Sequence, residues 1–154
     1  MARFRLRNDA KAWFKQIATF EHFNRDFDQY YCCLMVGFAS GRSNEKAPTT
    51  EMVDYFVDGY QEASDFLVGL LIIAELKKGA IDLSDRAAVR DMFKRLVNPR
   101  STNQLTDMGM QRMNAYASGG FDYMSESREL KPYSGEAFLQ DYAKLIDEAF
   151  VASE

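Results

Sequence analysis

The sequence has few of the residues that build common metal and catalytic sites. Its 154 residues include one histidine (His22), two cysteines (Cys32 and Cys33) and three prolines. A single histidine excludes sites made of several histidines, among them the paired Glu-x-x-His motifs of di-iron bundles. Adjacent cysteines cannot provide the spaced thiolates of a structural zinc site, or a disulfide between distant segments. We therefore expect no metal and no other cofactor.

Motifs of nucleotide-binding and hydrolytic enzymes are also absent. The chain contains neither G-x-x-x-x-G-K-[ST] nor G-x-G-x-x-G, and no G-x-S-x-G elbow. The remaining enzymatic hypothesis pairs Cys32 or Cys33 with His22 as a nucleophile. Thiols within an apolar helix are usually unreactive because burial raises their pKa. The sequence thus favours a protein that is not an enzyme.

Long hydrophobic runs are lacking as well. No apolar stretch reaches the roughly 18 residues needed to span a bilayer, and no signal-peptide core follows the basic start of the chain. Together with unpaired cysteines, these features are typical of a soluble cytoplasmic protein without membrane contacts. The length and the 47% hydrophobic content fit a single domain over residues 1–154.

Apolar residues recur at helical spacing along almost the whole chain. The pattern predicts an all-α fold, a single compact bundle of about six or seven helices. Six of the predicted helices begin at Asn8 or Asp9, Asn24 or Asp26, Thr49 or Thr50, Ser84 followed by Asp85, Thr106 and Asp107, and Ser134, and a further helix is predicted for the apolar run 66–74 with its polar flanks. Gly41, Pro99 and Gly119-Gly120 are the predicted stops. The segments 30–39 and 66–74 are apolar all round, and we expect them to be the two central helices, in close contact at Gly37 and Gly69.

Charge is distributed in blocks although the net charge is only −4. Residues 86–112 carry six basic and two acidic side chains, or +4, whereas residues 43–85 carry three against nine, or −6. A basic block in an acidic protein can hold a phosphate or an acidic partner. The alternative is that the blocks neutralise one another within the fold.

The most basic segment predicts a phosphate-contacting surface. Arg86, Arg90 and Lys94 stand at i, i+4 and i+8 of the predicted helix, and a polar loop without carboxylates follows them. Cations of this kind position a protein on a nucleic-acid backbone. The residues assigned to this surface are Arg86, Arg90, Lys94, Arg95, Arg100 and Asn103.

Two further segments are candidates for interactions. Acidic residues at steps of three and four would form one face of the helix predicted from Thr49 or Thr50, where a basic partner could dock. They are Glu51, Asp54, Asp58 and Glu62, continued by Asp65. Residues 1–7 form a possible basic N-terminal arm, unless its arginines pair with acidic segments of the same chain while Phe4 and Leu6 anchor it.

These observations lead to two hypotheses about function. The first is a non-catalytic helical adaptor, or a subunit of a larger cytoplasmic assembly, that binds a protein partner or a second copy of itself. Its basis is the absence of catalytic groups together with abundant Phe, Tyr and Met, which often cover interfaces. The second is a small nucleic-acid-binding protein that uses the basic face and polar loop at 86–104.

Overall fold

Helices dominate the computed structural model, which describes residues 2–20, 23–127 and 134–152. The predicted all-α class is confirmed, with one small sheet in addition. The elements in chain order are β1 (Arg5–Arg7), α1 (Asn8–Trp13), a 3₁₀ turn (Lys15–Ile17), α2 (Asp26–Ser40), β2 (Thr49–Glu51), α3 (Ser64–Lys78), α4 (Arg86–Leu96), α5 (Asp107–Ser127) and α6 (Gly135–Ala152). His22 lies outside the described residues.

Contacts divide the chain into two units. The first contains the residues up to Phe4 and residues 53–113, and the second contains residues 5–52 and the chain from Asn114 onward. Helices α3 and α4 pack together in the first unit, and α2 packs against α6 in the second. The assignment of residues 1–154 to a single domain stays a prediction.

Local sequence signals place several helix ends correctly. α2 ends at Gly41, whose φ of 74° is the left-handed conformation that glycine adopts most easily. The Asp85 carboxylate accepts a hydrogen bond of 3.1 Å from the Ala88 amide and caps α4. Ser134 caps α6 in the same way, since its hydroxyl accepts from the Ala137 amide at 3.1 Å.

The helix predicted from Thr49 or Thr50 is wrong. Thr49–Glu51 is instead a strand, β2, which pairs antiparallel with β1 so that Arg5 lies opposite Glu51. Residues 52–63 follow in turns and loops, held where the Phe4 amide donates to the Val53 carbonyl at 3.0 Å and the Phe4 ring packs on Phe56. Two consecutive β-branched threonines favour an extended backbone, and β1, which is distant in sequence, pairs with them.

The predicted helix stop at Gly119-Gly120 is also wrong, because α5 continues through both glycines to Ser127. They serve close packing within the second unit. A Cβ on Gly119 would collide with the Arg42 carbonyl, and one on Gly120 with the Cys33 carbonyl of α2. Glycine within a helix lowers the free energy of unfolding by about 1 kcal/mol relative to alanine. Here the absence of a Cβ lets the backbones of neighbouring segments come into contact.

Close helix contact at Gly37 is made with α5 and not with Gly69. A Cβ on Gly37 would collide with the Tyr116 carbonyl, whereas nothing lies within 4 Å of the corresponding position on Gly69. The expected pairing of Gly37 with Gly69 is therefore wrong. The central helices of the second unit are α2 and α5, and α6 adds a hydrogen bond of 2.8 Å from the Tyr142 hydroxyl to the Cys32 carbonyl.

Candidate interaction surfaces

Helix α4 is held firmly at both ends. Besides the Asp85 cap, the Thr106 hydroxyl donates to the Arg95 carbonyl at 2.6 Å, and the Thr106 amide donates to the Leu96 carbonyl at 3.0 Å. Only Met92 and Leu96 of this helix are buried. The outer side of α4 is consequently a rigid, solvent-facing platform.

The predicted basic residues lie on this platform or next to it. Arg86, Arg90 and Lys94 are exposed along one side of α4. Arg95 is exposed about half a turn away, since nine residues separate it from Arg86 at 3.6 residues per turn, and Arg100 is exposed in the following loop. We call these five residues the α4 basic surface. Within the described ranges, none of the five forms an ion pair.

Asn103 does not belong to that surface. The side chain is buried, and its amide group donates to the Asp54 carbonyl at 2.8 Å. Its carbonyl oxygen accepts from the Leu105 amide at 3.0 Å and from the Ser101 hydroxyl at 3.3 Å. Because the side chain is used to shape the loop, its assignment as a phosphate contact is wrong.

The acidic residues are not on one helix face. Glu51 lies in β2, where its carboxylate pairs with Arg5 at 3.0 Å, and Asp54, Asp58 and Glu62 are spread over the loop that follows. The single acidic face predicted for Glu51, Asp54, Asp58 and Glu62 is therefore wrong, since that face required a helix. Their role in docking a partner stays a prediction without this geometric support.

Two of the N-terminal arginines, Arg5 and Arg7, form ion pairs within the second unit. Arg7 is nearly buried and contacts the Asp122 carboxylate at 2.6 Å and the Asp9 carboxylate at 2.9 Å, with its guanidinium 4.9 Å from the centre of the Phe121 ring. Burial by itself lowers the pKa of Arg7, but the two carboxylates outweigh it and leave the pKa raised. Residues 5–7 thus form a strand whose arginines pair within the second unit, and a basic arm over residues 1–7 stays a prediction.

An open pocket of about 230 Å³ lies beside the loop after α4. Its lining consists of Tyr55, Phe56, Gln61, Ser64, Thr102 and Gln104. The Gln104 amide donates to the Ser64 hydroxyl at 3.1 Å, and that hydroxyl donates to the Gln61 carbonyl at 2.8 Å. The lining holds no carboxylate, imidazole or amine, so it offers no acid–base pair.

The outer side of α3 is an apolar surface that the sequence analysis missed. Phe66 and Ile73 are 59% and 54% exposed, and Leu70 between them is half-buried. Gly69 lies on the same side with open space in front of it. These four positions follow i, i+3, i+4 and i+7, the spacing of one helix face. We call Phe66, Gly69, Leu70 and Ile73 the α3 outer face.

Cys32 and Cys33 are free thiols that lie buried in the core. Burial, with a smaller contribution from the Asp28 carboxylate, raises the pKa of the Cys32 thiol to about 12. Burial also raises the pKa of Cys33 well above its usual value. A thiol must ionise to act as a nucleophile, and these two stay protonated near neutral pH.

Within the described part of the chain, no group of three or more His, Cys, Asp and Glu side chains is arranged to hold a metal ion. No described helix combines the length and the apolar character needed to cross a membrane. Comparison of the chain with protein families, with curated proteins and with solved structures finds no match.

Proposed function

We propose that this protein is a non-catalytic helical subunit that binds another protein chain through the α3 outer face. One observation carries the proposal: Phe66 and Ile73 are more than half exposed on a helix whose opposite side is fully packed. An exposed contiguous apolar surface commonly marks an interaction site in a folded protein. The partner element that fits a narrow apolar helix face is another amphipathic helix.

Energetics support a protein partner at this place. Burying a large apolar side chain is worth about 1.5–3 kcal/mol, so the exposed parts of Phe66 and Ile73 leave much of that free energy unused. Gly69 between them leaves space for a neighbouring helix to approach closely. Two large apolar side chains, Phe66 and Ile73, with a glycine between them are typical of the buried centre of an interface and not of its polar rim.

Capture from the native cells tests this function. Tagged wild-type chain and the Phe66→Asp variant are compared, and Leu139→Asp on α6 serves as the matched control because Leu139 is 47% exposed. We expect Phe66→Asp to lose a partner, or the untagged chain itself, that wild type and Leu139→Asp retain. Identical recovery in all three samples would contradict the proposal.

A second candidate function, binding of nucleic acid, is favoured by the α4 basic surface. Arg86, Arg90 and Lys94 repel one another at i, i+4 spacing, a few tenths of a kcal/mol per pair, and have no described carboxylate partner to offset it. Phosphate groups would relieve that repulsion. Asp91 also lies on α4, so the surface is not uniformly positive.

Salt dependence of binding tests the second candidate. A fluorescent duplex DNA of about 20 base pairs is titrated with wild type, Arg90→Glu/Lys94→Glu, and the control Lys15→Glu/Lys46→Glu, which changes net charge equally at exposed lysines. The logarithm of the binding constant falls by about 0.9 per phosphate contact for each tenfold rise in salt. We expect the α4 variant alone to reduce this slope by about 2. Equal slopes would exclude this surface.

A further inference from the structure

We propose that the partner of the α3 outer face is α3 of a second copy of this chain, in antiparallel orientation. This inference rests on the function proposed above and names its partner. The surface is centred on Gly69 and Leu70, with one large apolar side chain at an equal distance on each side. Phe66 lies one turn before this centre and Ile73 one turn after it.

This spacing is self-complementary. A two-fold axis that passes between Gly69 and Leu70 places Phe66 of one copy opposite Ile73 of the other, and the same contact recurs on the far side of the axis. Contacts that repeat in this way define the symmetric dimers that are the commonest oligomers. The open space at Gly69 lies at the crossing point, where two helix backbones come closest.

Charge at the two ends of α3 favours the antiparallel orientation. Asp65 lies in the first turn, and Lys77 and Lys78 lie in the last turn. Glu62 is exposed just before the helix. The same axis brings the acidic end of each copy next to the basic end of the other, and it opposes the two helix dipoles. A parallel pair would instead place like charges side by side.

The expected interface is small, which makes the association weak. Stable complexes bury about 1,200–2,000 Å² in total, and one pair of helix faces buries less. We therefore expect a dissociation constant on the order of 10–100 μM. Association of this strength would depend on concentration, and it would be detectable by sedimentation equilibrium.

Sedimentation equilibrium is measured from about 1 to about 300 μM on wild type, Phe66→Asp and Leu139→Asp. We expect wild type and Leu139→Asp to shift from monomer to dimer, and Phe66→Asp to raise the dissociation constant at least about tenfold. Far-UV circular dichroism checks that each variant is folded. A wild type that is monomeric throughout would overturn the inference, as would a Phe66→Asp variant that associates like Leu139→Asp.

Engineered cysteines test the orientation. In the antiparallel pair, Leu70 lies near the axis. Lys77 lies on the same side of α3 as Phe66, eleven residues further on, and its two copies are separated by about 22 Å along the helices at 1.5 Å per residue, whereas a parallel pair would place them opposite each other. A disulfide requires Cα atoms within about 7 Å. Mild oxidation should therefore crosslink Leu70→Cys and leave Lys77→Cys monomeric. Equal crosslinking of both would indicate a parallel pair and overturn the proposal. The native Cys32 and Cys33 are buried, so they do not compete.

Failure of this inference is distinguishable from failure of the proposed function. A monomeric wild type whose capture of a different protein is lost in Phe66→Asp overturns the second copy as partner, and leaves the α3 outer face as a binding site. A monomeric wild type whose captured proteins do not depend on Phe66 overturns both.

Discussion

Helices α2 and α3 have similar sequences in one respect and different surroundings in the structure. Both contain long stretches that are apolar around the whole circumference, and each stretch includes a glycine. From Phe27 to Ser40, no residue of α2 is exposed, and Gly37 touches the backbone of α5. On α3, Phe66 and Ile73 face outward and Gly69 faces open space.

A helix that is apolar all round has two sides to bury, and the chain itself need not bury both. α5 and α6 complete the burial of α2 within the second unit. The inner side of α3 is likewise packed, through residues such as Leu67 and Leu71. Its outer side is exposed, and this exposure is the physical basis of both the proposed function and the proposed dimer.

Among the changes that distinguish α2 from α3, the largest effect is expected from adding one methyl group to the glycine of α2 and, in contrast, to the glycine of α3. Gly37→Ala forces a Cβ against the Tyr116 backbone, which cannot rotate away, and we expect it to lower the free energy of unfolding by about 2–3 kcal/mol. Gly69→Ala meets no atom, so it should raise the free energy of unfolding by about 0.5–1 kcal/mol through helix propensity alone.

Urea unfolding followed by circular dichroism measures both changes, at a protein concentration of about 1 μM so that association does not contribute. Opposite signs for the two substitutions would sharpen the contrast between α2 and α3. A stabilising Gly37→Ala would contradict the close backbone contact between α2 and α5 at Gly37.

Helix ends were the most predictable part of the fold. Gly41, Asp85 and Ser134 act on their nearest neighbours, so their signals can be read without knowing the rest of the structure. β2 was not predictable in this way, because Thr49–Glu51 is extended by pairing with residues more than forty positions earlier. Whether Gly119-Gly120 ends a helix or lets two helices touch likewise depends on what lies opposite.

The candidate site was predictable only where exposure follows from local pattern. The row of Arg86, Arg90 and Lys94 could be placed on one side of a helix from spacing alone. Asn103 could not be assigned, because its burial depends on the distant Asp54 carbonyl. The α3 outer face was missed since all-round apolarity was interpreted as complete burial. The i, i+3, i+4, i+7 series from Phe66 to Ile73 was the signal that could have revealed it.

An intermediate effect is expected at alkaline pH from the thiols of α2. The pKa of Cys32 is about 12 in the folded chain, above about 8.5 in an unfolded one. The neutral thiol is favoured by folding, so its contribution to stability is complete below pH 8.5 and is lost as the pH rises toward 12. Between pH 8 and pH 10, wild type should lose about 1–2 kcal/mol more than Cys32→Ala.

Urea unfolding at the two pH values measures that difference, and each variant is compared only with itself so that the cavity left by alanine cancels. An equal alkaline loss in wild type and Cys32→Ala would show that the Cys32 thiol is accessible to water, contrary to the complete cover that distinguishes α2 from α3.

The smallest expected effect is the most informative about α3. Phe66→Asp places a carboxylate where the side chain is already mostly in water and close to the N-terminus of the helix, where a negative charge is favourable. The free energy of unfolding of the monomer should therefore change by no more than about 0.5 kcal/mol.

Val68→Asp, on the buried side of the same helix, is the control, and it should lower the free energy of unfolding much more because it buries an unpaired charge. Urea unfolding at about 1 μM compares the two. A large decrease in the free energy of unfolding of Phe66→Asp would mean that Phe66 stabilises the fold of its own chain. Its burial against a partner would then contribute little free energy to binding.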